Sequence, residues 1–147
     1  MEKGDRLMAY WLFKSEPDVF GWPHQLAKGD AGEEWTGVRN YQARNNMRAM
    51  RIGDLGFFYH SNIGKEIVGI IEVIRESAPD STIDDPRWDC VMVRALYPLP
   101  RPVALDACKM EPGLENMVLV NNTRLSVQPV TEAEWQIVCR MGGLPKA

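Results

Sequence analysis

The sequence predicts a mixed α+β fold: a small β-barrel of five or six strands with short helices at its periphery. Three observations point there. Short runs rich in β-branched and aromatic residues recur along the chain, each bounded by turn residues. Three or four segments with helical spacing or capping residues lie between them. No linker, repeat or low-complexity stretch divides the 147 residues, a length that suits one domain. Closing such short strands into a barrel removes their exposed edges.

The elements follow in order. Residues 1–8 are polar and predict a flexible tail ahead of a domain over 9–147. Residues 9–14 (Ala-Tyr-Trp-Leu-Phe-Lys) predict a strand, stopped by Ser15, Glu16 and Pro17. Pro23 suits the first turn of a short helix running to Lys28. Residues 29–36 read as loop. Residues 40–50 predict a helix with Ala43, Met47 and Met50 on one side and Arg44, Arg48 and Arg51 on another. Past a turn at Gly53 and Asp54, residues 55–60 form an aromatic strand. A turn over 62–65 leads by a hairpin into a strand over 66–74, and 79–86 is loop. Residues 89–99 alternate as a strand, which Pro98, Pro100 and Pro102 should end. Residues 105–110 suit a helical turn and 125–127 a short strand. Thr131 and Glu134 make a capping box for a last helix; Trp135, Val138 and Cys139 form its apolar stripe and Gly142 its stop. Strands adjacent in sequence read as antiparallel.

Composition excludes several classes. With 45% hydrophobic and 25% charged residues, the chain is neither disordered, collagenous nor coiled coil. Its apolar runs fall far short of the ~18 residues of a spanning helix, so no membrane partner is expected. The net charge of -3 and pI of about 5.4 exclude a generally basic nucleic-acid coat, though not a local basic patch. The N-terminus lacks an apolar signal region, so an intracellular place is expected: cytoplasmic in a bacterial-type chain, nuclear in a eukaryotic one. Cys90, Cys108 and Cys139 are widely spaced, with no C-x-x-C pair, and read as reduced thiols packed as small hydrophobes.

Catalytic signatures are absent from the sequence: no phosphate-binding glycine loop, zinc-protease helix or nucleophile elbow. His24 and His60, the two histidines, lie near no recognised ligand spacing, so neither metal nor cofactor is expected. His60 and Ser61, adjacent on a strand, would point to opposite faces and so do not suit a nucleophilic pair.

Three features carry candidate chemistry. Residues 35–45 place an aromatic beside a glycine, then polar side chains entering a helix, whose first N–H groups are free for a ligand. Trp35 there is either a core plug or a stacking platform. Between Thr36 and Gly53 lie four arginines and no acid. Arg44, Arg48 and Arg51 among them are either a solvated face paired with acids from elsewhere or phosphate contacts. Lys14, Ser15 and Glu16 close the first strand, where a pocket or a plain turn would fit.

These residues resemble the EVE-domain family. The matching pieces are Tyr10-Trp-Leu-Phe-Lys-Ser-Glu-Pro17 and Trp35-Thr-Gly-Val-Arg-Asn-Tyr-Gln-Ala-Arg-Asn-Asn-Met47, continued by Gly53-Asp54, Phe58-Tyr-His-Ser61, Ile67-Val-Gly69, Pro86-Arg-Trp88 and Arg124-Leu-Ser-Val-Gln-Pro-Val130. The resemblance covers about residues 9–141. It implies a PUA-like fold, related to YTH and SRA domains, and a nucleic-acid-binding module that reads a modified base of DNA or RNA flipped into an aromatic-lined pocket, with no reaction of its own. By the same resemblance, Trp35 would be a partly exposed cage wall and Asn40 would hydrogen-bond a base edge. Lys14, Ser15, Glu16, Val38, Arg39, Ser61 and Ser126 would line the pocket, and Arg44, Arg48 and Arg51 would touch phosphates. Trp88 would be either cage or core. Family members often carry a longer, tyrosine-bearing insert before Pro86; here 79–86 is short and has no aromatic, which implies an open rim. Two alternatives stand beside this reading: an enzyme acting on modified nucleotides or RNA, with Lys14 and Glu16 as its acid/base pair, and a protein-interaction adaptor.

Overall fold

The computed structural model describes residues 8–122 and 124–145. Of the tail expected over 1–8, only Met8, which is exposed, falls among them; the rest lies outside the described residues. The elements are β1 (Tyr10–Ser15), α1 (Pro17–Phe20), α2 (Trp22–Ala27), β2 (Glu33–Glu34), α3 (Tyr41–Ala49), β3 (Leu55–His60), β4 (Glu66–Pro79), β5 (Asp89–Ala104), α4 (Leu105–Met110), α5 (Val118–Asn121), β6 (Val127–Val130) and α6 (Glu132–Met141).

The six strands form one mixed sheet in the order β2-β5-β4-β3-β1-β6. β3, β4 and β5 pair antiparallel as consecutive strands, whereas β1 and β3 run parallel. A parallel pair needs a long crossover, and the segment carrying α1 to α3 supplies it.

Strand alternation gives this sheet two buried faces. On one, Trp11 and Phe13 of β1, Phe58 of β3 and Ile71 and Val73 of β4 pack under Ala43 and Met47 of α3 and Met50 just past its end. On the other, Leu12, Phe57, Tyr59 and Ile70 pack against Trp135, Val138 and Cys139 of α6. The apolar side expected for each of these two helices is the side that is buried. Thr131 and Glu134 form the capping box at the start of α6. Close packing also dictates one glycine: a Cβ on Gly69 would lie 2.4 Å from the Trp22 ring.

The expected barrel is not closed. β2 and β6 are the two ends of the sheet and do not pair with each other. β2 has two residues and β6 four, too little ladder to join. Instead α3 packs on both β5 and β6, and its Asn46 amide donates to the Val127 carbonyl at 2.7 Å. A helix side chain thus satisfies a backbone acceptor of the end strand.

Other expectations are corrected. The prolines at 98, 100 and 102 do not end β5, which runs on to Ala104. The register steps from Pro98 opposite Gly69 to Val103 opposite Ile67, so residues 99–102 face a bulge where ladder N–H groups are dispensable. β4 extends to Pro79. The loop expected over 29–36 contains a 3-10 turn (Gly29–Ala31) and β2. The first strand stops at Ser15 as expected, and Pro17 then opens α1, which was not expected. α5 was not foreseen, and the last strand is β6, two residues beyond 125.

Cys90, Cys108 and Cys139 are free and buried. Burial pushes their thiols up, to about 11, 11 and 12 respectively, so they sit in the core as neutral groups. No described helix is long and apolar enough to cross a membrane.

Candidate nucleic-acid interface

A cleft of about 420 Å³ opens where the end of β1 meets the segment leading from β2 to α3. Lys14, Ser15, Trp35, Val38, Arg39 and Ser126, all expected at the site, line it together. β1 carries Lys14 and Ser15 to its rim. The Lys14 N–H donates to the Ser126 carbonyl at 2.9 Å, which brings Ser126 alongside. The Ser15 hydroxyl donates to the Phe20 carbonyl at 2.6 Å, so toward the cleft it offers acceptor lone pairs. Burial lowers the Lys14 ammonium from its ordinary value.

Trp35 differs from the expected partly exposed wall: only 6% of it is accessible. Its ring meets Phe13, Phe20 and Phe58 in edge-type contacts, with centroids 5.1, 6.2 and 5.6 Å away. Its backbone N–H donates to the Val91 carbonyl on β5 at 2.9 Å. Trp35 is therefore core and cleft lining at once, a rigid aromatic floor.

Beyond Trp35 the chain turns at Gly37, whose φ of +85° lies in the left-handed region that favours glycine. The buried Asp80 holds this turn, accepting from the Gly37 N–H at 2.9 Å and the Arg39 guanidinium at 3.2 Å. Burial opposes its charge, but hydrogen bonds from Thr82, Gly37 and Arg39 outweigh it and hold the carboxyl down at about 2. The Arg39 guanidinium also lies 5.6 Å from the Trp88 ring, which is buried and stacked on Tyr41 with centroids 5.0 Å apart. Trp88 does not line the cleft.

Three expected residues are not on the cleft lining. Glu16 is exposed and precedes α1, where its carbonyl accepts from the N–H groups of Val19 and Phe20. The acid/base pair with Lys14 is thus not assembled in the cleft. The Asn40 side chain caps α3, accepting from the Ala43 N–H at 2.8 Å. Ser61 lines a separate cavity. The arginine stripe is partly engaged: Arg48 pairs with Asp89 at 3.0 Å, and Arg44 donates to the Arg87 carbonyl at 2.9 Å and to the Asn45 side chain. Arg51 is exposed.

Val19, Phe20, Glu33, Glu34, Thr36 and Gly37 complete the lining and were not singled out from sequence. The adjoining Glu33-Glu34 pair was the available signal: two acids directly before the tryptophan. Pairing with Val93 and Met92 of β5 places them at the cleft. Glu34 accepts from the Ser81 hydroxyl at 2.9 Å, and Glu33 pairs with Lys28 at 3.4 Å. Among the described residues, no group of three or more His, Cys, Asp or Glu is placed to hold a metal ion.

The model of the EVE domain family matches residues 9–141. Mouse thymocyte nuclear protein 1 is 36% identical over 167 aligned positions, spanning 92% of this chain and 74% of that protein. A solved protein from Agrobacterium tumefaciens is 62% identical with a TM-score of 0.92, covering 95% of this chain and 98% of its own. Human THYN1 protein, solved in complex with 5-methylcytosine-containing DNA, is 33% identical with a TM-score of 0.83, over 92% and 98%. The YTH domain of Zygosaccharomyces rouxii MRB1, solved with N6-methyladenosine RNA, shares the fold alone: 14% identity and a TM-score of 0.58, over 95% and 87%.

Proposed function

This chain is a member of the EVE-domain family, and from that premise we propose that it reads a modified base, turned out of its strand into the cleft at Trp35. The observation that carries the reading is the cleft. It holds about 420 Å³, within the roughly 300–1,000 Å³ of small-molecule sites, and combines an aromatic floor with hydroxyls, two carboxylates and a lysine. Extruding a base costs a few kcal/mol, and stacking on an aromatic returns ~1–3 kcal/mol per base. The indole, already fixed by three aromatic neighbours, loses little freedom when a base joins it. Carboxylates at Glu33 and Glu34 suit an exocyclic amino group, as on cytosine or adenine. Val19 and Val38 supply apolar surface for a methyl group. The human relative's complex with 5-methylcytosine DNA supports a methylated base as the ligand. Arg44, Arg48 and Arg51 then contact phosphates alongside.

Amide NMR shifts test this reading. Titration with an oligonucleotide carrying one 5-methylcytosine should give saturable shifts at Ser15, Trp35, Gly37 and Ser126. Saturable shifts that leave these four unmoved would place the ligand elsewhere and overturn it.

A further inference from the structure

A second cavity, of about 140 Å³, also borders Lys14. Its lining is Lys14, Tyr59, Ser61, Asn62, Lys65, Leu105 and Leu119. Two lysines meet there and no carboxylate lines it, in a chain of net charge -3. The base cleft has the opposite character, with Glu33 and Glu34 on its wall. Lys14 is common to both linings.

The cavity is held open by backbone. Asn62 and Lys65 have φ of 70° and 51°, the two non-glycine residues with positive φ among those described, and both line this cavity. Such conformations cost energy and persist where surrounding contacts enforce them. Here the Ser61 N–H donates to the Ser15 carbonyl and the Leu105 N–H to the Lys65 carbonyl, both at 2.9 Å. Tyr59 is 3% exposed, yet no group among the described residues hydrogen-bonds its hydroxyl. Burial, with Cys108 and Asp106 nearby, pushes that phenol up to about 12, so it remains a donor at neutral pH. Tyr59 lines the cavity, so its hydroxyl can donate to an anion held by the two lysines.

We propose that this second cavity is a phosphate site, in which the ammonium groups of Lys14 and Lys65 and the hydroxyls of Tyr59 and Ser61 hold the anion. The ligand is either a backbone phosphate of the bound strand or free phosphate; the strand as its source rests on the base reading above. A shared Lys14 puts the two sites within one side chain of each other, as a base and a nearby phosphate require.

The test uses wild type and Lys65→Gln, because Lys65 lines the second cavity and not the cleft. Inorganic phosphate should give saturable amide shifts over residues 61–65, abolished by the substitution. Non-saturating shifts, or shifts unchanged in Lys65→Gln, would overturn the site whatever any oligonucleotide does. Oligonucleotide titrations then identify the source. With a strand phosphate, Lys65→Gln weakens modified and unmodified oligonucleotides alike and removes about one from the log–log salt slope. An unchanged slope beside saturable phosphate binding assigns free phosphate. Phosphate binding without any oligonucleotide binding leaves this site standing and overturns the base reading.

Discussion

Asp80 accepts a hydrogen bond from the backbone N–H of Gly37 at 2.9 Å, joining segments 43 residues apart. It fastens the turn after Trp35 to the short segment over 79–86, and Arg39 comes with it. Asp80→Ala removes the charged acceptor that Gly37, Arg39 and Thr82 share and should cost ~1–3 kcal/mol in urea unfolding, with weaker ligand binding at the cleft. Asp80→Asn keeps an acceptor oxygen and should cost less. The folded carboxyl titrates at about 2 against 3.8. Its contribution is therefore present above 3.8 and lost as pH falls from there toward 2. Asp80→Ala should lack that part of the acid transition.

Burial changes what a Trp35 substitution reports. Trp35→Ala should cost ~3–5 kcal/mol, as expected for an emptied aromatic site. Trp135→Ala should cost about as much, since Trp135 is 1% exposed and stacked on Phe57 and Tyr10. Trp35→Phe keeps an aromatic floor. It should fold and lose part of the ~1–3 kcal/mol that a stacked base contributes. Melting curves and titrations on the three variants check this.

Neutral replacement of Arg44, Arg48 or Arg51 should weaken all oligonucleotides about equally. Each should flatten the log–log salt slope by roughly 0.7–0.9. The Arg48–Asp89 pair is exposed, so Arg48→Gln should cost under ~1 kcal/mol of stability. Unchanged slopes would leave the stripe as a solvated, salt-bridged face.

His60 Nε2 accepts from the Trp22 N–H at 3.0 Å, which requires the unprotonated nitrogen. Burial lowers its pKa below 6.5, with Glu66 opposing. The unfolded chain therefore takes up the proton first as pH falls. Stability should be full above 6.5 and decline as pH drops below it. Thermal melts of wild type and His60→Gln should show that part of the decline in the wild type alone.

Much of this fold is legible in local pattern. The alternation of Trp11, Leu12 and Phe13, the Ala43–Met47–Met50 spacing and the Thr131–Glu134 capping box each act within a few residues. What was missed acts over long range. Trp35 is buried by Phe13, Phe20 and Phe58, which come from three other segments. β2 exists because Glu33 and Glu34 meet Val93 and Met92, so the two acids before Trp35 are visible in the sequence but their place at the cleft is set by a distant strand. Proline after proline reads as a stop, and only the bulge opposite Val68 permits β5 to continue. The motif residues of the cleft were nearly all legible. Asn40 and Ser61 were placed by motif alone, and a helix cap and a neighbouring cavity claim them.

The most direct measurement is affinity, at one fixed salt concentration, for matched oligonucleotides carrying cytosine, 5-methylcytosine, adenine or N6-methyladenine at a single position. Base reading in the cleft predicts one modified oligonucleotide bound about tenfold or more tightly than its unmodified match, a difference of ~1.4 kcal/mol or more. Equal affinity across the set, with a common salt dependence, would mean that the protein holds phosphates without reading a base.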